Sequence, residues 1–156
     1  MLFLLCETRA GRFVIPGQRI LEVLPMIAVS PLAGMPPGMA GVMRCRGVSA
    51  PVLDLTQLTT GAPAPCRMST RVLLAGFNNA SGAEQLMGVI VERATRMVSI
   101  PPDQFSEVAA ETGPLSFLRA VAWDGGVAVR RVDLDRLGDL LTRWMGAEEA
   151  ALRIAA

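Results

Sequence analysis

The chain of 156 residues contains no histidine, no lysine and no tyrosine, and only 4% of its residues are aromatic. These absences remove the commonest general base, the imidazole metal ligand, the Schiff-base amine and the phenolic acid. An enzyme built from this sequence would depend on carboxylates, cysteine, serine or threonine. Catalysis is therefore disfavoured, and we expect no cofactor.

An excess of positive charge is also missing. Fifteen basic residues, all of them arginine, stand against fourteen acidic ones, which leaves a formal net charge of +1. A groove that neutralises many phosphates needs a clear basic excess. The composition therefore disfavours nucleic acid as a partner.

Cysteine is scarce, and its spacing excludes the usual cysteine sites. Cys6, Cys45 and Cys66 lie far apart, are odd in number and form no C-x-x-C pair. Neither a zinc site nor a redox pair is indicated, so we expect no bound metal. The three are expected to be small hydrophobic residues in a reducing cytosol.

No long hydrophobic run is present. The apolar segment 1–6 has no basic residue ahead of it, and Glu7 and Arg9 follow almost at once. It is too short for a signal peptide or a membrane span. We interpret it as a buried first strand of a cytoplasmic protein that does not insert into the membrane.

What the sequence does contain is a series of short apolar runs separated by turn residues, which predicts about ten strands. The exception is the stretch 133–145. There Asp133 precedes leucines at helical spacing, which predicts a capped C-terminal helix. The Ala-rich residues 146–156 are expected to form a tail.

The stretch 41–55 is the most informative of these runs. It predicts a hairpin whose bend carries Arg44, Arg46 and Gly47, followed by Asp54 as the N-cap of a short helix. Two arginines thus project from an otherwise apolar neighbourhood. Such a placement favours recognition of a partner, although a solvated hairpin charge would look the same.

This hairpin recurs 79 positions later, where the turn glycine, the capping aspartate and the core positions match. Two copies of one strand-rich unit predict an all-β fold with short helices: two small barrels of about five strands and the C-terminal helix. We place the first barrel at about 12–70 and the second at about 71–135, with strand 2–7 packing against them. The first hairpin carries Arg44 and Arg46 at its bend, whereas the second carries Asp124 and Gly125, so the arginines are better candidates for binding than for folding.

The order of these features resembles the CheW family, the adaptors of bacterial chemosensory arrays, and the related regulatory domain of the CheA kinase. The resemblance covers about residues 2–141, and its domain would span about 1–145. It implies that the two barrels are SH3-like. Four signatures carry it: Arg44-Cys45-Arg46-Gly47 followed by Ala50-Pro51-Val52-Leu53-Asp54-Leu55; Phe13-Val14-Ile15 with Leu21-Glu22-Val23-Leu24; Gly88 to Ala94 leading to Ser99-Ile100-Pro101; and Ala120, Asp124-Gly125 with Val132 to Leu137.

The resemblance implies a non-enzymatic adaptor. Such proteins bind the cytoplasmic tip of a chemoreceptor in the groove between the barrels, and the regulatory domain of a CheA-type histidine kinase at one barrel end. It would be cytoplasmic and recruited to membrane-associated receptor arrays. By position, the receptor-binding residues would be Ile20, Glu22, Val29 and Arg46, with Arg44 adding charge beside them. For the kinase we expect contacts near Val98, Ile100 and Phe117.

Departures from the family pattern leave alternatives open. Arg44 replaces an asparagine, Glu92 an aspartate and Ala120 a glycine, which would fit an accessory, non-flagellar pathway. The chain could instead be an SH3-like module for another peptide or helix, or a fragment of a CheA-type kinase. Glu22 could simply pair with Arg19. An enzyme using Asp54, Asp133 and Asp135 is a further alternative, although capping explains the first two.

Overall fold

The computed structural model describes residues 1–26, 29–45, 47–108 and 115–145. The predicted tail 146–156 and Arg46 lie outside these residues. The first half comprises β1 (Leu2–Thr8), β2 (Gly11–Pro16), a 3-10 turn (Gly17–Arg19), β3 (Ile20–Pro25), β4 (Val29–Ser30), β5 (Met39–Cys45), β6 (Val48–Asp54) and α1 (Leu55–Thr60). The second half comprises β7 (Arg71–Asn78), β8 (Glu84–Val91), β9 (Arg96–Ser99), a 3-10 turn (Pro102–Gln104), β10 (Ser106–Glu107), β11 (Ala120–Asp124), β12 (Val127–Arg131) and α2 (Leu134–Met145).

Local chemistry explains the helix ends and the tight turns. The Asp54 carboxylate accepts a hydrogen bond from the backbone N–H of Gln57, and Gly61 ends α1 in the left-handed conformation at φ 84°. Asp133 likewise accepts from the backbone N–H of Arg136 at the start of α2. Both predicted caps are confirmed. The mostly apolar run 117–123 predicts a strand, but the strand in this region, β11, begins at Ala120.

Two six-stranded sheets form the body of the fold. Sheet 1 has the order β10-β11-β12-β2-β1-β9, and sheet 2 has the order β3-β7-β8-β6-β5-β4. Neighbouring strands are antiparallel except β12 with β2 and β6 with β8, which are parallel. With the C-terminal helix α2, this confirms the predicted mostly-β architecture.

The internal repeat is visible in the strand pairing. In the parallel pairs, Val52 lies opposite Gly88, and Arg131 lies opposite Val14. Since Arg131 is the equivalent of Val52, Val14 is the equivalent of Gly88, a shift of 74 residues along the chain. The two halves therefore build their sheets in the same register.

The first hairpin of each half, however, belongs to the sheet that the other half mainly forms. Strands β1 and β2 belong with β9 to β12, while β7 and β8 belong with β3 to β6. This grouping differs from the predicted barrels at about 12–70 and 71–135. Apolar alternation identifies strands but carries no information on which distant strands pair.

The hydrophobic core has three parts. The central cluster lies between the sheets and under α2, and includes Phe13, Leu73 and Leu137. A second cluster, with Phe3 and Val129, fills the inner face of sheet 1. The third lies on the inner face of sheet 2 and consists of Met43, Ala50, Val52, Val72, Leu74 and Ile90.

Candidate interaction site

Two of the predicted receptor residues, Glu22 and Val29, lie beside the seam at which sheet 2 curls on itself. The Cys45 thiol donates a hydrogen bond of 3.1 Å to the Glu22 carboxylate. This contact links β5 to β3, which are far apart in the order of the sheet. Val29 on β4 lies opposite Met43 and packs against the inner cluster of sheet 2. The structure therefore brings Glu22 and Val29 to the inner side of the seam.

Arg44 lies on the other side of the same strand. Its neighbour Met43 is buried inside sheet 2, so alternation turns Arg44 outward, and it is exposed opposite Ser49. Gly47 holds the hairpin turn at φ 79°, a left-handed conformation that glycine adopts freely. Arg44 is thus an exposed positive charge on the outer face of β5.

Ile20 faces a third direction. It lies opposite Ala75 and packs against the central cluster. A β-bulge between Ile20 and Glu22 shifts the register. As a result, Ile20 points to the central cluster, whereas Glu22 points to the inner face of sheet 2. The expected receptor residues consequently do not share a single surface.

Exposed apolar residues on β3 were missed by the sequence reasoning. Leu21 is 64% exposed and Val23 is 50% exposed. Val23 lies opposite Leu73 of the central cluster, so it extends that apolar face to the open edge of sheet 2. The apolar residues at 20, 21, 23 and 24, bounded by Pro16 and Pro25, predict a short helical turn leading into a strand, and that prediction hid this signal. The alternation of a strand would have separated Leu21 and Val23 from Glu22.

The equivalent edge of sheet 1 shows the same feature. Met97 on β9 lies opposite Leu4 of the central cluster, and both Met97 and Leu2 are about half exposed. A Cβ atom added to Gly17 would lie 2.8 Å from Met97 Cε, so this edge abuts the turn that leads into β3. We call Leu2, Leu21, Val23 and Met97 the apolar rim.

Arg19 fixes the turn between the two edges. Its Nη2 atom donates to Asp135 Oδ1 at 2.5 Å, and its Nε atom donates to the Gly76 carbonyl at 3.2 Å. Asp135 also accepts from the backbone N–H of Asn78. The carboxylate partner of Arg19 is therefore on α2, and the turn before β3 is tied to sheet 2 and to the helix at once.

The residues expected to contact the kinase are mostly internal. Val98 is half-buried against the inner cluster of sheet 1, and Ile100 is 3% exposed in the same cluster. Phe117 is fully buried in the central cluster. Packing accounts for the last two, which offer no area to a partner in this structure.

The titratable groups of the described residues serve mainly structural roles. Burial raises the pKa of Asp54, against the opposing effect of hydrogen bonds from the Ala64 and Gln57 backbone. Capping accounts for Asp54 and Asp133 without catalysis. Within the four described segments, His, Cys, Asp and Glu side chains form no group of three that could hold a metal. No helix in those segments is long and apolar enough to cross a membrane.

Comparison with known proteins identifies the family. The family model of the CheW-like domain matches residues 2–141, nearly the whole chain. The chain belongs to the CheW-like domain family. A solved structure, the scaffolding protein TtCheW from Thermoanaerobacter tengcongensis, superimposes with a TM-score of 0.73 at 15% sequence identity. The alignment covers 87% of this chain and 86% of that one. No curated protein sequence matches.

The likeness to TtCheW confirms the predicted fold of two SH3-like units. In this CheW-like domain, the family signature at 44–55 lies in the β5–β6 hairpin and includes Asp54, the N-cap of α1. The signature at 132–137 includes Asp133, the N-cap of α2, and the first turn of that helix.

Proposed function

We propose that this CheW-like domain is a non-enzymatic adaptor that couples chemoreceptors to a CheA-type histidine kinase. It would act in the cytoplasm, recruited to receptor arrays, and we assign it to an accessory, non-flagellar pathway. Membership of the family supports this, as does the likeness to a scaffolding protein. The arginine-bearing hairpin, where the family has an asparagine, supports a receptor preference of its own.

The observation that carries the receptor part of the proposal is the apolar rim. Val23 and Met97 lie opposite residues of the central cluster, so the rim continues that core to the surface at the edges of both sheets. A receptor tip is a helical hairpin, and its apolar stripe needs a complementary apolar surface. The rim supplies that area, while Glu22, Arg44 and Arg46 would fix orientation through charge-assisted hydrogen bonds.

We place the kinase contact on sheet 1, on the surface around Val98. Ile100 and Phe117 would support this surface from within. Val98 and the rim residue Met97 are neighbours on β9 and point to opposite faces of sheet 1, so the receptor and the kinase would bind opposite faces of this edge at the same time.

Co-sedimentation with a receptor cytoplasmic fragment and the matching kinase tests the proposal. The wild-type chain should join both partners. Val23→Asp should lose the receptor and keep the kinase, because a charge would replace exposed apolar contact area. Arg46→Glu should do the same through charge reversal. Met68→Asp is the matched control, since Met68 is 93% exposed in the loop before β7 and away from the rim.

Two results would contradict the proposal. If the wild-type chain joins neither partner, the fold serves as an SH3-like module for another ligand. If Val23→Asp binds the receptor as the wild type does, the rim is not the receptor surface. Binding to a second CheW-type adaptor in place of the kinase would indicate a kinase regulatory domain instead.

A further inference from the structure

A cavity of about 390 Å³ lies where the end of β1, helix α1 and the segment after β8 meet. Three arginines line it: Arg9, Arg67 and Arg93. None of the residues proposed for receptor or kinase binding contributes to it. The three come from separate segments of the chain, so only the folded domain brings them together.

The carboxylates in the cavity are already engaged. Glu7 Oε1 accepts a hydrogen bond of 2.7 Å from Arg12, which stands behind the cavity wall. Glu92 Oε2 accepts a hydrogen bond of 2.6 Å from the Thr56 hydroxyl. The closest approach between a lining arginine and a carboxylate is 3.8 Å, from Arg93 Nη1 to Glu7 Oε2.

The other two guanidinium groups have no partner in the part of the chain that the structure describes. Among residues 1–26, 29–45, 47–108 and 115–145, the side chains of Arg9 and Arg67 form no hydrogen bond and no ion pair. The whole chain carries a formal charge of only +1. Three arginines against the two glutamates, Glu7 and Glu92, leave the cavity lining with a formal charge of +1, and the two unpaired guanidinium groups keep their donors available.

The internal repeat shows what an arginine does at this place when it has a structural role. Arg19 is the repeat equivalent of Arg93, and Asp135 is the equivalent of Thr56. Arg19 binds Asp135 at 2.5 Å and a backbone carbonyl. At the equivalent place, α1 carries Thr56, which has no carboxylate for Arg93 to bind. The Arg93 guanidinium therefore keeps donors available for a ligand.

The backbone at Arg93 is also unusual. It has a φ of 50°, and no other non-glycine residue in the described part of the chain has a positive φ. The left-handed conformation is unfavourable for a residue with a side chain, and such strain is common at binding sites.

We propose that this cavity binds a phosphate-bearing small molecule through Arg9, Arg67 and Arg93. A planar guanidinium presents paired donors that match phosphate oxygens, and several of them around one cavity suit a multiply charged anion. The hydroxyl of Thr8 is a further donor beside Arg9. The volume lies in the range of small-ligand cavities.

Isothermal titration calorimetry of the full chain at low salt tests this, with inorganic pyrophosphate and ADP as separate probes. Arg67→Gln and Arg9→Gln should each weaken binding by about tenfold or more, because each removes charge-assisted hydrogen bonds. Both variants should fold, since these side chains are exposed and unpaired. Arg143→Gln, an exposed arginine of α2 outside the cavity, should bind as the wild type does.

The two probes distinguish the sources of phosphate. Equal affinity for pyrophosphate and ADP supports a free polyphosphate as the ligand, and binding of ADP alone supports a nucleotide. The proposal is overturned if neither probe binds with a Kd below 1 mM, or if Arg67→Gln and Arg143→Gln bind alike. The measurement uses no receptor and no kinase, so its result is independent of the adaptor function.

Discussion

Cys45 and Glu22 close sheet 2 by a hydrogen bond of 3.1 Å between the thiol and the carboxylate. At the equivalent place in sheet 1, Arg96 lies 3.7 Å from Asp124 and links β9 to the end of β11. The two pairs occupy matching positions of the repeat with different chemistry. Both halves thus need a contact that closes the sheet, while the chemical groups that form this contact differ between them.

We expect a double-mutant cycle of Cys45→Ala and Glu22→Gln to give a coupling free energy of about 1 kcal/mol, because the bond is charge-assisted and part-buried. Urea denaturation of the four proteins measures it. The matched cycle, Arg96→Gln with Asp124→Asn, should give less than about 0.5 kcal/mol, since the Arg96 side chain is mostly exposed. Equal coupling in the two cycles would contradict this assignment.

The three thiols should differ in reactivity. Burial, together with the neighbouring Glu7 charge, raises the pKa of Cys6 to about 12, so its reactive thiolate is scarce at neutral pH. Cys66 is exposed and Cys45 is half-buried. Alkylation at pH 8 followed by mass spectrometry should label Cys66 first, Cys45 more slowly and Cys6 only after unfolding. Cys66→Ser should remove the fast phase, and labelling of Cys6 in the native state would refute the prediction.

Asp54 should make stability depend on pH. Burial raises its pKa in the folded state, so the folded state holds this proton more tightly than the unfolded chain does. The protonated group therefore contributes stability below its unfolded pKa of about 4, and this contribution is lost as pH rises through the folded pKa.

Urea denaturation between pH 3 and pH 7 tests this against Asp54→Asn, which keeps an acceptor for the Gln57 N–H and does not titrate. The stability of the wild type relative to this variant should fall as pH rises over that interval and then level off. A difference that is constant with pH would show that Asp54 does not titrate abnormally. Asp54→Ala, which removes the cap, should cost about 0.5–2 kcal/mol.

Gly138 permits α2 to approach sheet 2. A Cβ atom at this position would overlap the buried ring of Phe77. Gly138→Ala should therefore destabilise the domain by about 1–3 kcal/mol, despite a gain of about 1 kcal/mol in helix propensity. Asp139→Ala, on the exposed neighbouring position, should change stability little. A more stable Gly138→Ala in thermal denaturation would show that the helix can shift away.

Features encoded by neighbouring residues could be predicted from the sequence. The caps at Asp54 and Asp133 and the hairpin turn at Gly125 depend on interactions within a few residues. The repeat was readable for the same reason, since it preserves these local signals in both halves. Strand pairing was not readable, because β1 with β9 and β6 with β8 join residues far apart in the chain.

The candidate site was predicted only in part for a related reason. The arginine hairpin follows from composition and from the difference between the repeats. The faces to which Ile20 and Glu22 point depend on a β-bulge, and no residue type in this stretch predicts that bulge. Ile100 and Phe117 were expected on a surface because apolar residues suit both cores and interfaces, and sequence alone does not separate the two.

The exchange of hairpins between the sheets has a consequence for synthesis. The segment 2–16 is synthesised well before its partner strands at 96–99 and 127–131. At translation rates of about 5–20 residues per second, the first hairpin waits on the order of ten seconds for them. Sheet 2 uses only residues 20–91, so all of its strands are available before those that complete sheet 1. Sheet 1, and with it the domain, is complete only after β12 has been synthesised.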